Sequence, residues 1–150
     1  MTTKAVQQGT ISTKLIERWE QVGQKLSALA QEFPASKFEY KPADGVRTIA
    51  EILRHVAFWN QYVADSVRGK KADDSSNELP KDKFSTKAQI VGALDRTTKD
   101  AAEALKEQVS GMSPEIAETL ISFLEHNCEH YGQLVVYARL NAITPPASRS

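Results

Sequence analysis

Two of the three histidines in this 150-residue chain stand four residues apart, in Glu125-His126-Asn127-Cys128-Glu129-His130-Tyr131-Gly132-Gln133. On a helix of about 3.6 residues per turn, positions i and i+4 stack on one face. Two imidazoles held in that way can chelate one metal ion, the arrangement that helical H-x-x-x-H pairs use in zinc enzymes. The third histidine, His55, lies in a different helix-like segment. A facial three-nitrogen site therefore requires a fold that brings His55 to the pair. At about 100° per residue, His126 and His130 lie about 40° apart on one flank of their apolar stripe, with Gln133 on the same side one turn further on. Cys128 points nearly opposite to both, which makes it a poor ligand despite its place between them. His55 sits at the edge of its own stripe, flanked by Trp59 and Tyr62. The same spacing also fits three partly buried histidines that bond only to neighbours, and spacing alone does not choose between the two.

Other chemistries find less support. The glutamate that follows the first histidine in H-E-x-x-H proteases is replaced by Asn127, and Glu129 projects at an angle from the pair, so no general base is assigned. No Gly-rich phosphate loop, nucleophile elbow or Cys-x-x-Cys pair occurs. Trp19 and Trp59 fall on helical stripes and read first as core. Lysine plus arginine and aspartate plus glutamate balance at 19 each, so no global field favours nucleic acid or an anionic membrane. Nothing approaches the roughly 18 apolar residues of a membrane span. The first residues lack the apolar core of a signal peptide, so cytoplasmic residence is expected. The single cysteine agrees with a reducing compartment.

The elements that must position the histidines are legible as stripes. Ile11, Leu15, Trp19, Val22, Leu26, Leu29 and Phe33 alternate steps of four and three, the mark of a helix, and Pro34 stops it. Turn chemistry at Pro42-Ala43-Asp44-Gly45 leads to Thr48-Ile49-Ala50-Glu51, a capping box. A second stripe follows (Ile49, Ile52, Val56, Trp59, Val63), closed by Gly69. Residues 69–84 are polar and aperiodic, long enough to carry the chain the length of a bundle. Thr86 and Gln89 form a second capping box before Val91, Leu94, Thr98, Ala101 and Leu105, and Ser110-Gly111-Met112 is expected to end that helix. Ser113 and Pro114 open the last, with Ile116, Leu120, Phe123, Asn127, Leu134 and Ala138 inward. Four amphipathic helices and no strand predict an all-α four-helix bundle, one domain over 1–150 with flexible ends at about 1–10 and 146–150.

The residues that surround the histidines resemble one family. Leu53-Arg54-His55-Val56, the pair His126/His130 and the following Tyr131-Gly132-Gln133 are similar to the DinB-like superfamily, which includes bacillithiol- and mycothiol-dependent transferases. The Pro42-to-Thr48 lead-in and the Arg139-Leu140-Asn141-Ala142-Ile143-Thr144-Pro145-Pro146 exit resemble it too. The resemblance covers about residues 12 to 146. It implies an up-down-down-up bundle with 69–84 as crossover and a divalent metal on His55, His126 and His130. Water or substrate would fill the remaining coordination places, and a homodimer is expected. Glu129 and Tyr131 stand where that family often has His and Arg, which leaves the triad intact but separates this chain from the commoner motif.

The leading expectation is thus a metal-dependent enzyme of thiol-transferase, isomerase or hydrolase type. It would hold zinc, nickel or a similar ion and act on a small molecule such as a low-molecular-weight thiol. Gln133 and Trp59 are candidate substrate or supporting contacts. The alternative is a non-catalytic dimeric interaction module, with or without a structural metal; neither reading expects a nucleic-acid partner.

Overall fold

The computed structural model describes residues 10–150, so the fraying expected of residues 1–9 lies outside the described residues. The four stripes form α1 (Ile11–Glu32), α2 (Ile49–Val67), α3 (Lys87–Glu107) and α4 (Pro114–Leu140), and no strand occurs among the described residues. Each helix starts on a side chain that accepts from a first-turn amide: Thr10, Thr48, Thr86 and Ser113. Thr48/Glu51 and Thr86/Gln89 close complete capping boxes, as their spacing predicts. The start of α2 is held further by the preceding connection. Ile49 and Ala50 donate their amides to the carbonyls of Tyr40 and Phe38, which satisfies first-turn groups that a free helix would leave to water. Gly45, at φ +81, makes the turn that allows this return.

Cross-helix contacts give the directions. Along α2 and α3 the partners rise together, Asn60 with Thr98 and Arg68 with Asp100, so these two helices are parallel. Lys87 of α3 reaches the carbonyls of Gln31 and Phe33 while Trp19 reaches Thr98, which sets α1 antiparallel to α3. His126 meets His55 and Tyr137 meets Arg47, so α4 opposes α2. The order is up-down-down-up, with α1–α3, α3–α2, α2–α4 and α4–α1 as neighbours. Two parallel sequential helices need a crossover, and residues 69–84 supply it. Gly69 (φ +71) turns the chain off α2, and by Leu79 the chain is back level with Arg54.

Among the described residues the core has two apolar clusters. One surrounds Leu26, Leu29, Phe33, Ile52, Leu94 and Leu134; the other surrounds Ile16, Trp19, Val63, Ala101, Leu105 and Leu120. Each fully buried Leu or Ile contributes about 1.5–3 kcal/mol. A buried polar chain crosses the bundle. Asn127 of α4 donates to Asn60 of α2 (2.9 Å), Asn60 to Thr98 Oγ1 of α3 (3.1 Å), and Thr98 to the Leu94 carbonyl (2.7 Å). The Trp19 indole of α1 bonds the Thr98 carbonyl at 3.1 Å, so all four helices join in it.

Two expectations are corrected. Ile11 is 81% exposed, because it is the first helical residue and nothing described packs on it. The third helix ends at Glu107, capped by Gln108, before the Ser110-Gly111-Met112 break. Residues 146–150 carry a short 3-10 helix (Pro146–Ser148) beside α1, with the Arg149–Glu32 ion pair and an Arg149 bond to the Thr144 carbonyl.

Candidate metal centre

His55 projects from the second helical turn of α2, and His126 and His130 from successive turns of α4. Because α2 and α4 are antiparallel neighbours, the three rings meet. Their centroids lie 4.8 Å (His55–His126), 4.7 Å (His55–His130) and 4.6 Å (His126–His130) apart. One ring nitrogen from each falls within 4.8 Å of the others. His55 is buried and the other two half-buried, so the cluster opens on one side.

The opposite ring nitrogens decide the chemistry. His55 Nδ1 lies 2.6 Å from the Asn77 carbonyl, His126 Nδ1 3.1 Å from Asn127 Oδ1, and His130 Nδ1 3.0 Å from Gln133 Oε1. Each partner oxygen accepts, so each Nδ1 must carry the proton. In a neutral imidazole the lone pair is then on Nε2. The Asn127 oxygen is itself fixed, since its amide nitrogen donates to Asn60. Gln133 is fixed likewise: it donates to Tyr137 Oη (3.3 Å), which donates to the Arg47 carbonyl (2.8 Å). These are the supporting bonds that orient metal-ligating histidines.

The Nε2 atoms of His55 and His126 face each other at 2.8 Å. With both protons on Nδ1, two lone pairs meet there, an arrangement that a cation between them relieves. Nitrogens bound at about 2.0–2.1 Å and at a right angle lie about 2.9 Å apart. The residues present fit a divalent ion held by three imidazoles.

Electrostatics keep the set neutral and ready to ligate. Burial pushes His55 down to about 4, against the pull of its Asn77 bond, and the charge of Arg47 adds to the depression. Burial also lowers His126 and His130, again with a contribution from Arg47 and opposed by Glu129. Neutral ligands plus a nearby guanidinium make a bound dication's surroundings cationic. No carboxylate lies within salt-bridge distance of Arg47 among the described residues.

On one side stands an aromatic wall. Trp59 stacks on Phe123 (5.6 Å between ring centres), Tyr62 lies against both, and Phe123 meets His126 edge-on at 5.8 Å. A cavity of about 360 Å³ lies beside it between α2 and the crossover, lined by Phe58, Tyr62, Asp65, Glu78 and Leu79 among others. A larger groove of about 510 Å³ between α1 and α3 has no histidine in its lining; the convergent nitrogens, not volume, mark the site.

All three histidines singled out by type and spacing come together here, with Gln133 beside His130. Trp59 is present as part of the aromatic wall, its indole bonded to the Asn77 side chain (2.8 Å). Cys128 is exposed, as wheel geometry requires, and Glu129 is exposed too. Sequence reading left Asn77, Arg47 and Tyr137 unassigned. Asn77 serves His55 through its main chain, which any residue type has, and Arg47 lies in the connection just before the Thr48 cap. Asn127 did carry a signal, an amide on an apolar stripe.

No curated protein matches the chain. Residues 18–134 match the sequence pattern of the DinB superfamily, a span that contains every histidine described above. Most of the chain, the bundle order and the triad thus point the same way: this protein belongs to the DinB superfamily.

Proposed function

We propose that this protein is a metal-dependent enzyme that acts on a small anionic substrate, a thiolate foremost. The observation that carries the reading is a cluster of three imidazoles, each with one ring nitrogen within 4.8 Å of the others while every Nδ1 has an oxygen partner. When bound, zinc, nickel or a similar ion at such a centre lowers the pKa of a coordinated water or thiol toward neutrality. His55, His126 and His130 hold it as neutral ligands, and Gln133, Asn127 and Asn77 keep their rings in place. Arg47 supplies positive potential that favours an anion, and soft thiolates suit these metals. In thiol transfer the sulfur lone pair forms the new S–C bond, the leaving group departs with its bonding pair, and the thiol proton passes to water. The wall of Trp59 and Phe123 shields one side from water.

The deciding experiment is elemental analysis of the untagged protein beside His126→Ala. About one equivalent of transition metal per chain, lost in the variant, supports the reading. No metal in either protein after incubation with zinc and nickel sinks it.

A second reading, a dimeric interaction module, draws on another feature. Ile121 (39% exposed), Val136 (55%) and Leu140 (59%) share the outward side of α4 with Gly132 and Cys128. A second copy of the chain would cover such a face. That reading requires a dimer by light scattering that Val136→Glu dissociates, together with no binding of small thiols.

A further inference from the structure

The crossover does more than return the chain. Its residues 77–79 are fastened to α2 at the level of His55. The Asn77 carbonyl accepts from His55 Nδ1 at 2.6 Å, and its side-chain oxygen accepts from Trp59 Nε1 at 2.8 Å. Leu79 donates its amide to the Arg54 carbonyl at 3.3 Å. Arg54, only 1% exposed, donates through Nε to Glu78 at 2.7 Å and through Nη1 to the Phe84 carbonyl at 3.2 Å. A guanidinium that deep is tolerated because it is paired at both places. Asn77 itself is exposed, and Glu78 and Leu79 are only half-buried, Leu79 against the cavity that Phe58 and Tyr62 also line. What fastens the segment is a few polar contacts at the level of His55, with the partial burial of Leu79 beside them.

The three ring-fixing acceptors are not equivalent. Those of His126 and His130 come from α4 itself, one and three residues along. The acceptor of His55 comes from a different segment, 22 residues away in sequence, and its presence depends on how that segment is seated. With the segment lifted, the Nδ1 proton of His55 loses its acceptor, and the ring is free to turn or change tautomer. A mis-set tautomer presents N–H instead of a lone pair to the centre.

We propose that residues 77–79 form a strap that positions His55, so that metal binding and docking of the strap favour each other. The inference rests on the metal reading above and adds regulation to it: the crossover opens more readily on the metal-free protein. Because the coupling is reciprocal, the factor by which a docked strap tightens metal binding equals the factor by which metal favours docking. Loss of such supporting contacts typically weakens metal binding by about 10–100-fold.

Two measurements test it on the full chain. The first is exchange of the Leu79 amide, followed by NMR with and without zinc, with the Lys70 amide, bonded to the Asp65 carbonyl outside the strap, as reference. Zinc should slow Leu79 by about tenfold or more, leave Lys70 unchanged, and have no effect on Leu79 in His126→Ala. The second is zinc affinity by chelator competition in Asn77→Ala and Glu78→Gln, with helix content checked by circular dichroism. Asn77→Ala keeps the carbonyl on His55 but drops the Trp59 bond, and Glu78→Gln keeps an acceptor without the charge. Both should fold and bind zinc more weakly, by about tenfold. If zinc binds tightly while the Leu79 amide exchanges at its metal-free rate, the strap is overturned and the centre stands. If wild type binds no zinc, the centre falls and the strap with it.

Discussion

Gly23 on α1 faces Thr98 on α3 so closely that a Cβ added there would meet Thr98 Cγ2 at 2.2 Å. Gly23→Ala therefore sets two effects against each other. Alanine in a helix interior is worth about 1 kcal/mol over glycine, whereas overpacking a tight core costs about 1–3 kcal/mol. The threonine cannot relieve the clash by turning its methyl away, because Oγ1 is bonded to the Leu94 carbonyl and to Asn60. The overpacking should win, with a net loss of up to about 2 kcal/mol. Thr98→Ser removes the offending methyl and keeps the hydroxyl, at about 0.8 kcal/mol for the lost group. The double variant should then recover most of the loss and approach wild type, a favourable coupling of about 1–3 kcal/mol. Urea unfolding of the four proteins, followed by circular dichroism, measures it. Strictly additive single effects would refute the reasoning, and with it the claim that Thr98 is pinned.

Asn127→Ala strands two groups, the Nδ1 proton of the half-buried His126 and the buried Asn60 Oδ1. It should cost about 2–4 kcal/mol in urea unfolding and weaken zinc binding about 10–100-fold by chelator competition; an unchanged zinc affinity would deny Asn127 its orienting part. Arg47→Gln removes a cation that depresses all three histidines, so their apparent pKa values in metal-free protein should rise together by NMR titration. No movement would mean that the guanidinium does not act on the cluster. His55 is held near 4, below the ordinary value of 6.5, so the unfolded chain takes up its proton first. Metal-free protein should therefore be fully stable above about pH 6.5 and lose up to about 3 kcal/mol as pH falls toward 4, read as a falling urea midpoint. A flat midpoint over that window would contradict the burial of His55.

How much was legible in advance follows from where each interaction lives. Helix starts were readable because a capping box needs fixed residue types at fixed offsets, and Thr48/Glu51 and Thr86/Gln89 have them. The His126/His130 pair was readable because one helix carries both. That His55 would join them followed from resemblance, not from residue spacing, since it depends on α2 and α4 being neighbours. The parallel run of α2 and α3 was likewise implied by resemblance and by the length of the 69–84 segment. The strap had no pattern to find: its key contact is a backbone carbonyl, and the buried partner Arg54 looks in sequence like any surface arginine. The Arg149–Glu32 pair had no local pattern either, since it spans 117 residues.

The row of hydrogen bonds from His126 to Leu94 has a direction, each donor passing to the next acceptor from α4 through α2 to α3. Apolar stripes alone tolerate sliding, since one leucine resembles another a turn away. Sliding α4 by one turn, about 5.4 Å, would take Asn127 from Asn60 and leave both amides inside the apolar interior. Each stranded group costs about 1–3 kcal/mol, so the slipped bundle is heavily disfavoured. The same step would separate His126 from His55. The row thus acts as a key in a lock, admitting only the one vertical setting of the helices at which three imidazoles share a centre.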